Sequence, residues 1–65
     1  MGPMPMIEVT MFPGRSAEQK AALVERLTTA FLETCGSPGQ PAAGVWVVVH
    51  EVPAENWAVG GKLVG

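Results

Sequence analysis

The hydrophobic pattern predicts a β-strand near the start of the chain. Residues 6–11 alternate, so that Ile7, Val9 and Met11 share one face of a strand and the residues between them share the other. The Pro-Gly pair at 13–14 ends the strand, because proline has no N–H for a sheet and glycine permits a positive φ. We therefore expect a strand that turns sharply after its last residue.

After the strand, the apolar residues recur at spacings of three and four, which predicts an amphipathic helix over residues 16–35. Ser16 and Gln19 have the spacing of a capping box, in which each side chain bonds the backbone N–H of the other residue. Gly36 fits the left-handed position that follows many helices, so we expect the helix to end there. The apolar stripe of this helix consists of Leu23, Val24, Leu27, Ala30, Phe31 and Thr34.

A β-branched run at residues 45–52 predicts a second strand, and residues 36–44 form the loop before it. Its near-continuous hydrophobicity is typical of a strand buried on both faces of a parallel sheet. The helix between the two strands provides enough chain for a parallel crossover, and the glycines of the tail suit a short hairpin. The predicted fold class is α+β, with residues 1–65 forming one β-α-β unit and a C-terminal hairpin in a single domain.

The small size of the chain favours an oligomer. A chain of 65 residues buries only about 60% of its unfolded surface, and such chains usually need disulfides, metals or partners. The single Cys35 excludes an internal disulfide, and Cys35 with the single His50 cannot supply a structural zinc site. One helix covers one face of the sheet, so we expect copies of the chain to cover the other.

Charge and hydropathy exclude several classes of function. Four basic against six acidic residues give a net charge of −2, with no basic cluster that could neutralise several phosphates of a nucleic acid. The sequence has no apolar stretch of the roughly 18 residues that span a bilayer and no secretory signal pattern. We therefore expect no nucleic-acid or membrane partner, and a cytoplasmic location.

The titratable residues suggest little chemistry on their own. His50 has no aspartate anywhere in the chain to complete a catalytic triad, and Cys35 follows a helix C-terminus, which disfavours a thiolate. Glu51 is either a general base or an ordinary solvated carboxylate. Arg15 precedes the helix, where its charge opposes the helix dipole, so it either recognises an anion or is a solvated surface arginine.

Several short motifs follow one another in a distinctive order along the chain. They are Pro5-Met6-Ile7, Gly14-Arg15-Ser16, Glu18-Gln19-Lys20, a valine-rich strand ending in Glu51, and Trp57-x-x-Gly60-Gly61. The order and spacing of these motifs resemble those of the 4-oxalocrotonate tautomerase family. The resemblance extends over about residues 5–62, which is nearly the whole chain.

This resemblance implies a trimer of dimers and an isomerase that needs no metal or organic cofactor. In the family, removal of the initiator methionine exposes a proline whose secondary amine moves a proton between oxygen and carbon of a 2-hydroxydienoate or a similar enol. Pro5 matches this proline, and Arg15 matches the arginine that binds the substrate carboxylate. Trp57 stands where an aromatic residue encloses the site.

Two positions depart from the family pattern. Pro5 follows residues 1–4, an N-terminal extension that makes its nitrogen an amide unless translation starts at Met4 and that residue is removed. If the extension is retained, the chain would be a catalytically silent subunit or a ligand-binding homologue. Trp46 occupies a position where the family usually has a second arginine, which implies a smaller, more apolar or monoanionic substrate such as an arylpyruvate-like enol. Trp46 either lines the site or packs at a subunit interface.

Overall fold

The computed structural model describes residues 5–65, and the proposed extension at residues 1–4 lies outside this range. Two short 3₁₀ turns, Ala42–Gly44 and Ala54–Asn56, precede the second strand and the C-terminal hairpin respectively. Within the described range, no helix is long and apolar enough to cross a membrane. The regular elements are β1 (Met6–Met11), α1 (Ala17–Thr34), β2 (Trp46–Glu51), β3 (Ala58–Val59) and β4 (Lys62–Leu63).

Strands β1 and β2 pair in parallel, which confirms the predicted β-α-β unit. The register places Met6 opposite Trp46 and Met11 opposite Glu51. The pairing continues past the strand at the far end, where the Val52 N–H donates to the Met11 carbonyl over 2.9 Å. The two strands therefore begin and end together, and residues that flank them are brought together at one end of the sheet or the other.

The predicted capping box starts α1. The Ser16 hydroxyl accepts a hydrogen bond from the Gln19 N–H at 3.1 Å, and the Gln19 side chain accepts one from the Ser16 N–H at 2.9 Å. These two bonds satisfy backbone donors that have no partner inside the helix. They fix the direction in which the chain leaves the turn after β1.

The end of α1 corrects one expectation. The helix ends at Thr34, but Gly36 does not have the left-handed backbone that we predicted for it. Its N–H instead donates to the Phe31 carbonyl at 3.0 Å, which brings the chain close to the last helical turn. A Cβ at position 36 would lie 2.8 Å from the Leu32 carbonyl oxygen, so the need for glycine is steric.

The predicted burial of β2 on both faces is wrong for the single chain, because one helix covers only one face of the sheet. Val47 and Val49 are half-buried on the covered face, and Val45, just before the strand, is buried. On the opposite, open face, Met6 and Trp46 are 56% and 55% exposed. The hydrophobicity of β2 therefore exceeds what one chain can bury.

The tail forms the predicted hairpin. Strands β3 and β4 pair antiparallel, with Ala58 opposite Leu63 and Val59 opposite Lys62. The linking Gly60-Gly61 pair has positive φ at both residues, as the favoured two-residue hairpin turn requires. A two-stranded hairpin is only marginally stable alone. Val59 and Leu63 are exposed, so the chain buries little of the apolar surface of this hairpin.

Candidate active site

Pro5 and Trp46 lie together where the sheet begins. The Trp46 N–H donates to the Pro5 carbonyl over 3.1 Å, and this bond fixes the backbone directly before β1. Pro5 is half-buried, whereas the Trp46 side chain is largely exposed. The structure thus places the predicted proline beside the first residue of β2.

Arg15 lies at the other end of the sheet. Its Nη1 donates to the Phe12 carbonyl at 3.1 Å, just beyond the last residue of β1. Gly14, with a φ of 124°, provides the turn that returns the chain toward this carbonyl. A guanidinium has five N–H donors, so Arg15 keeps donors free for a carboxylate.

Trp57 lies at the same end as Arg15. Its ring stacks on Phe12 with centroids 4.6 Å apart and an angle of 28° between the planes. The indole Nε1 donates to the Val52 carbonyl at 2.6 Å. Because that donor is already used, Trp57 offers a ligand the apolar surface of its ring.

Phe12 connects Arg15 to Trp57, a role that was not predicted from the sequence. The Phe12 carbonyl accepts a hydrogen bond from the Arg15 guanidinium, and the Phe12 ring stacks on the Trp57 indole. The sequence does indicate that Phe12 and Trp57 lie in the same region, because each follows one of two parallel strands whose carboxyl ends meet at one edge of the sheet. Their direct contact depends on the turns after both strands.

The four predicted site residues therefore form two separate pairs within one chain. Pro5 precedes β1 and Phe12 follows it, so at the rise of an extended strand they lie on the order of 20 Å apart. The bond from Arg15 to Phe12 keeps the guanidinium at the far end. One chain thus brings Pro5 to Trp46 and Arg15 to Trp57, and does not bring the two pairs together.

The other titratable candidates have partners of their own. Glu51 forms an ion pair with Lys20, with 2.8 Å between Oε1 and Nζ. On the open face, His50 Nε2 lies 3.6 Å from the Glu8 carboxylate. Cys35 is exposed at the end of α1. In residues 5–65, no three His, Cys, Asp or Glu side chains are grouped so that they could hold a metal ion.

Comparison with known proteins identifies the family of this chain. The family model described as tautomerase enzyme matches residues 5–65. The 2-hydroxymuconate tautomerases of Comamonas testosteroni and Pseudomonas putida are 45% and 40% identical to it over 58 residues, which are 89% of this chain and 87% of each relative.

Solved structures agree with this result. TomN, a 4-oxalocrotonate tautomerase homologue of the tomaymycin biosynthetic pathway, is 48% identical with a TM-score of 0.78, over 92% of this chain and 88% of TomN. A heterohexameric 4-oxalocrotonate tautomerase from Chloroflexus aurantiacus is 38% identical with a TM-score of 0.76, over 94% of both chains. The sequence, the β-α-β fold and these matches together establish that the chain belongs to the tautomerase family.

Proposed function

We propose that this chain is an isomerase that interconverts the enol and keto forms of a small 2-hydroxydienoate or an arylpyruvate-like carboxylate. The observation that carries the proposal is the position of Pro5, which lies directly before β1 and is the residue at which the family match begins. A chain starting there has a secondary amine at the end of a fixed strand.

The amine of Pro5 acts as both general base and general acid. An α-amino group titrates at about 7.7–8.0 in model peptides, so part of it is neutral near pH 7 and accepts the enol hydroxyl proton. The resulting ammonium then returns a proton to a carbon of the conjugated system, and the hydroxyl oxygen becomes the keto oxygen. The amine is restored to its starting state.

Arg15 and Trp57 bind the substrate in this proposal. The free guanidinium donors of Arg15 hold the carboxylate, and the Phe12–Trp57 stack provides an apolar wall beside it. Because Pro5 and Arg15 lie at opposite ends of the sheet, the Arg15 and Trp57 that serve one Pro5 belong to another copy of the chain. The exposed Met6 and Trp46 on the open face support such self-association, which we propose to be a trimer of dimers.

The activity is tested by incubating the chain that begins at Pro5 with 2-hydroxymuconate and, separately, with enolic phenylpyruvate. We expect loss of the enol absorbance at a rate that rises with enzyme concentration, because both compounds carry a carboxylate for Arg15 and an enol for Pro5. Rates equal to the buffer rate for both compounds would contradict the proposed function.

A second candidate is a silent structural or ligand-binding subunit. The four residues before Pro5 favour it, because an acylated proline nitrogen cannot take up a proton at neutral pH. The relative from Chloroflexus aurantiacus is a heterohexamer, so different chains can share one assembly in this family. The intact mass of the natively expressed protein separates the candidates, since a mass that starts at Pro5 supports the isomerase and one that starts at Met1 or Gly2 supports the silent subunit.

In this proposal, Trp46 determines whether the enzyme prefers substrates with one carboxylate or with two. Its indole can donate one hydrogen bond and carries no charge, so the Pro5 end of the sheet suits an apolar group better than a second carboxylate. We expect Trp46→Arg to raise the ratio of kcat/KM for 2-hydroxymuconate to that for enolic phenylpyruvate by roughly tenfold, as one charge-assisted hydrogen bond permits.

Steady-state kinetics on the two substrates measure this ratio, and Trp46→Gln is the matched control, because it is polar and uncharged. An equal change in the ratio for the Arg and Gln variants would show that Trp46 acts through packing at an interface.

A further inference from the structure

A carboxylate lies at the Arg15 end of the sheet. Glu51 is the last residue of β2 and stands opposite Met11, directly before the Phe12 whose carbonyl binds Arg15. An unpaired carboxylate here would be a suitable partner for the guanidinium, because arginine and carboxylate form short, often bidentate hydrogen bonds. A carboxylate of the protein would then occupy the donors that a substrate carboxylate needs.

In the structure, Glu51 pairs with Lys20 instead. Lys20 projects from the second turn of α1, and its Nζ lies 2.8 Å from Glu51 Oε1. Both side chains are about one third exposed, at 33% and 31%. The ion pairs found within residues 5–65 join Lys20 to Glu51 and His50 to Glu8, so Arg15 is not paired with a carboxylate there.

We propose that Lys20 is a positioning residue that holds the Glu51 carboxylate away from Arg15 and so keeps the guanidinium open to the substrate. Lys20 itself does not touch the substrate in this account. The inference rests on the proposed function, because it takes Arg15 as the group that binds the substrate carboxylate.

A purely structural role for the same ion pair makes a different prediction. If Lys20 only fastens α1 to β2, then removing either partner, or both, loses the same contact. If Lys20 instead neutralises a competing carboxylate, then loss of Lys20 alone is harmful, and simultaneous loss of the Glu51 charge repairs the damage. The double variant therefore separates the two roles.

The test measures kcat and KM for enolic phenylpyruvate with Lys20→Gln, Glu51→Gln and the double variant, in the chain that begins at Pro5. We expect Lys20→Gln to raise KM roughly three- to tenfold with little change in kcat, as the partial loss of charged hydrogen bonds from Arg15 predicts. The double variant and Glu51→Gln should have KM values near that of the wild type. Lys20→Arg keeps the charge and should also retain the wild-type KM.

A double variant as impaired as Lys20→Gln, or a Lys20→Gln variant with unchanged KM, would overturn the proposal. The same variants are titrated with benzoate by calorimetry, because this monoanion probes carboxylate binding without turnover. If the wild type has no turnover but the benzoate Kd follows the expected pattern, the proposed function fails and the inference about Lys20 stands. If turnover occurs and KM does not follow that pattern, only the inference about Lys20 fails. Absence of benzoate binding by the wild type together with absence of turnover overturns both.

Discussion

Retention of residues 1–4 ahead of Pro5 should lower kcat/KM for enolic phenylpyruvate by about 10²- to 10⁴-fold relative to the chain that begins at Pro5, which is the usual contribution of a positioned general base. The reason is that the amide nitrogen formed with Met4 has no basic lone pair. Stopped-flow or steady-state assays of the two purified forms measure the difference, and their intact masses verify the N-termini.

Pro5→Ala in the shorter chain is the matched control for this comparison. Alanine keeps an N-terminal amine but loses the pyrrolidine ring that fixes the direction of its lone pair, so we expect activity between those of the two wild-type forms. Activity of the Pro5→Ala variant equal to that of the wild type would contradict the role of the proline ring. Full activity of the extended chain would contradict the proton shuttle itself.

Arg15→Ala should raise KM for enolic phenylpyruvate by about ten- to a hundredfold, because hydrogen bonds to a charged group contribute about 1.5–3 kcal/mol. Lysine at this position keeps the charge but cannot bind a carboxylate through two parallel N–H groups, so Arg15→Lys should restore only part of the affinity. Steady-state kinetics of both variants measure the effect.

Arg26→Ala is the matched control for this prediction. Arg26 is an exposed arginine in the middle of α1, so its loss changes the net charge as the loss of Arg15 does, without removing a proposed substrate contact. Equal effects at the two arginines would show that net charge, and not a defined carboxylate contact, determines KM.

Local sequence patterns were sufficient to predict most of the fold. The alternation in β1 follows from the opposite directions of successive strand side chains, and the capping box of α1 is formed within four residues. The burial of β2 was predicted less well, because a run of valines does not reveal whether a neighbouring chain is needed to cover it. The backbone of Gly36 was missed for a related reason, since its close approach to Leu32 depends on the path of the following loop.

Less of the candidate site than of the fold could be predicted from the sequence. The position of Arg15 against the helix dipole suggested an anion, whereas the roles of Pro5 and Trp57 came from the family resemblance. The Phe12–Trp57 stack and the Lys20–Glu51 ion pair join residues that are far apart in the chain. No local pattern encodes such contacts, because they depend on where the helix and the hairpin pack.

Each chain carries two half-sites, Pro5 with Trp46 and Arg15 with Trp57. The proposed activity, like the stability of so small a chain, therefore requires association of copies. Met6 and Trp46 expose apolar surface at the Pro5 end of the sheet, and the stacked rings of Phe12 and Trp57 form an apolar surface at the Arg15 end. In our proposal, association of copies buries the first surface and brings the two ends together. Stability and catalysis would then depend on the same contacts.

The most direct test of the central claim is complementation between two defective chains. One chain retains residues 1–4 and so lacks the Pro5 amine, and the other begins at Pro5 and carries Arg15→Ala. If each site takes Pro5 and Arg15 from different copies, equal mixing with co-refolding should restore about a quarter of the wild-type kcat/KM, because half of the copies supply each intact group. Sedimentation of differently tagged chains verifies that they assemble together. Activity of the co-assembled mixture equal to the average of the two separate chains would contradict the account.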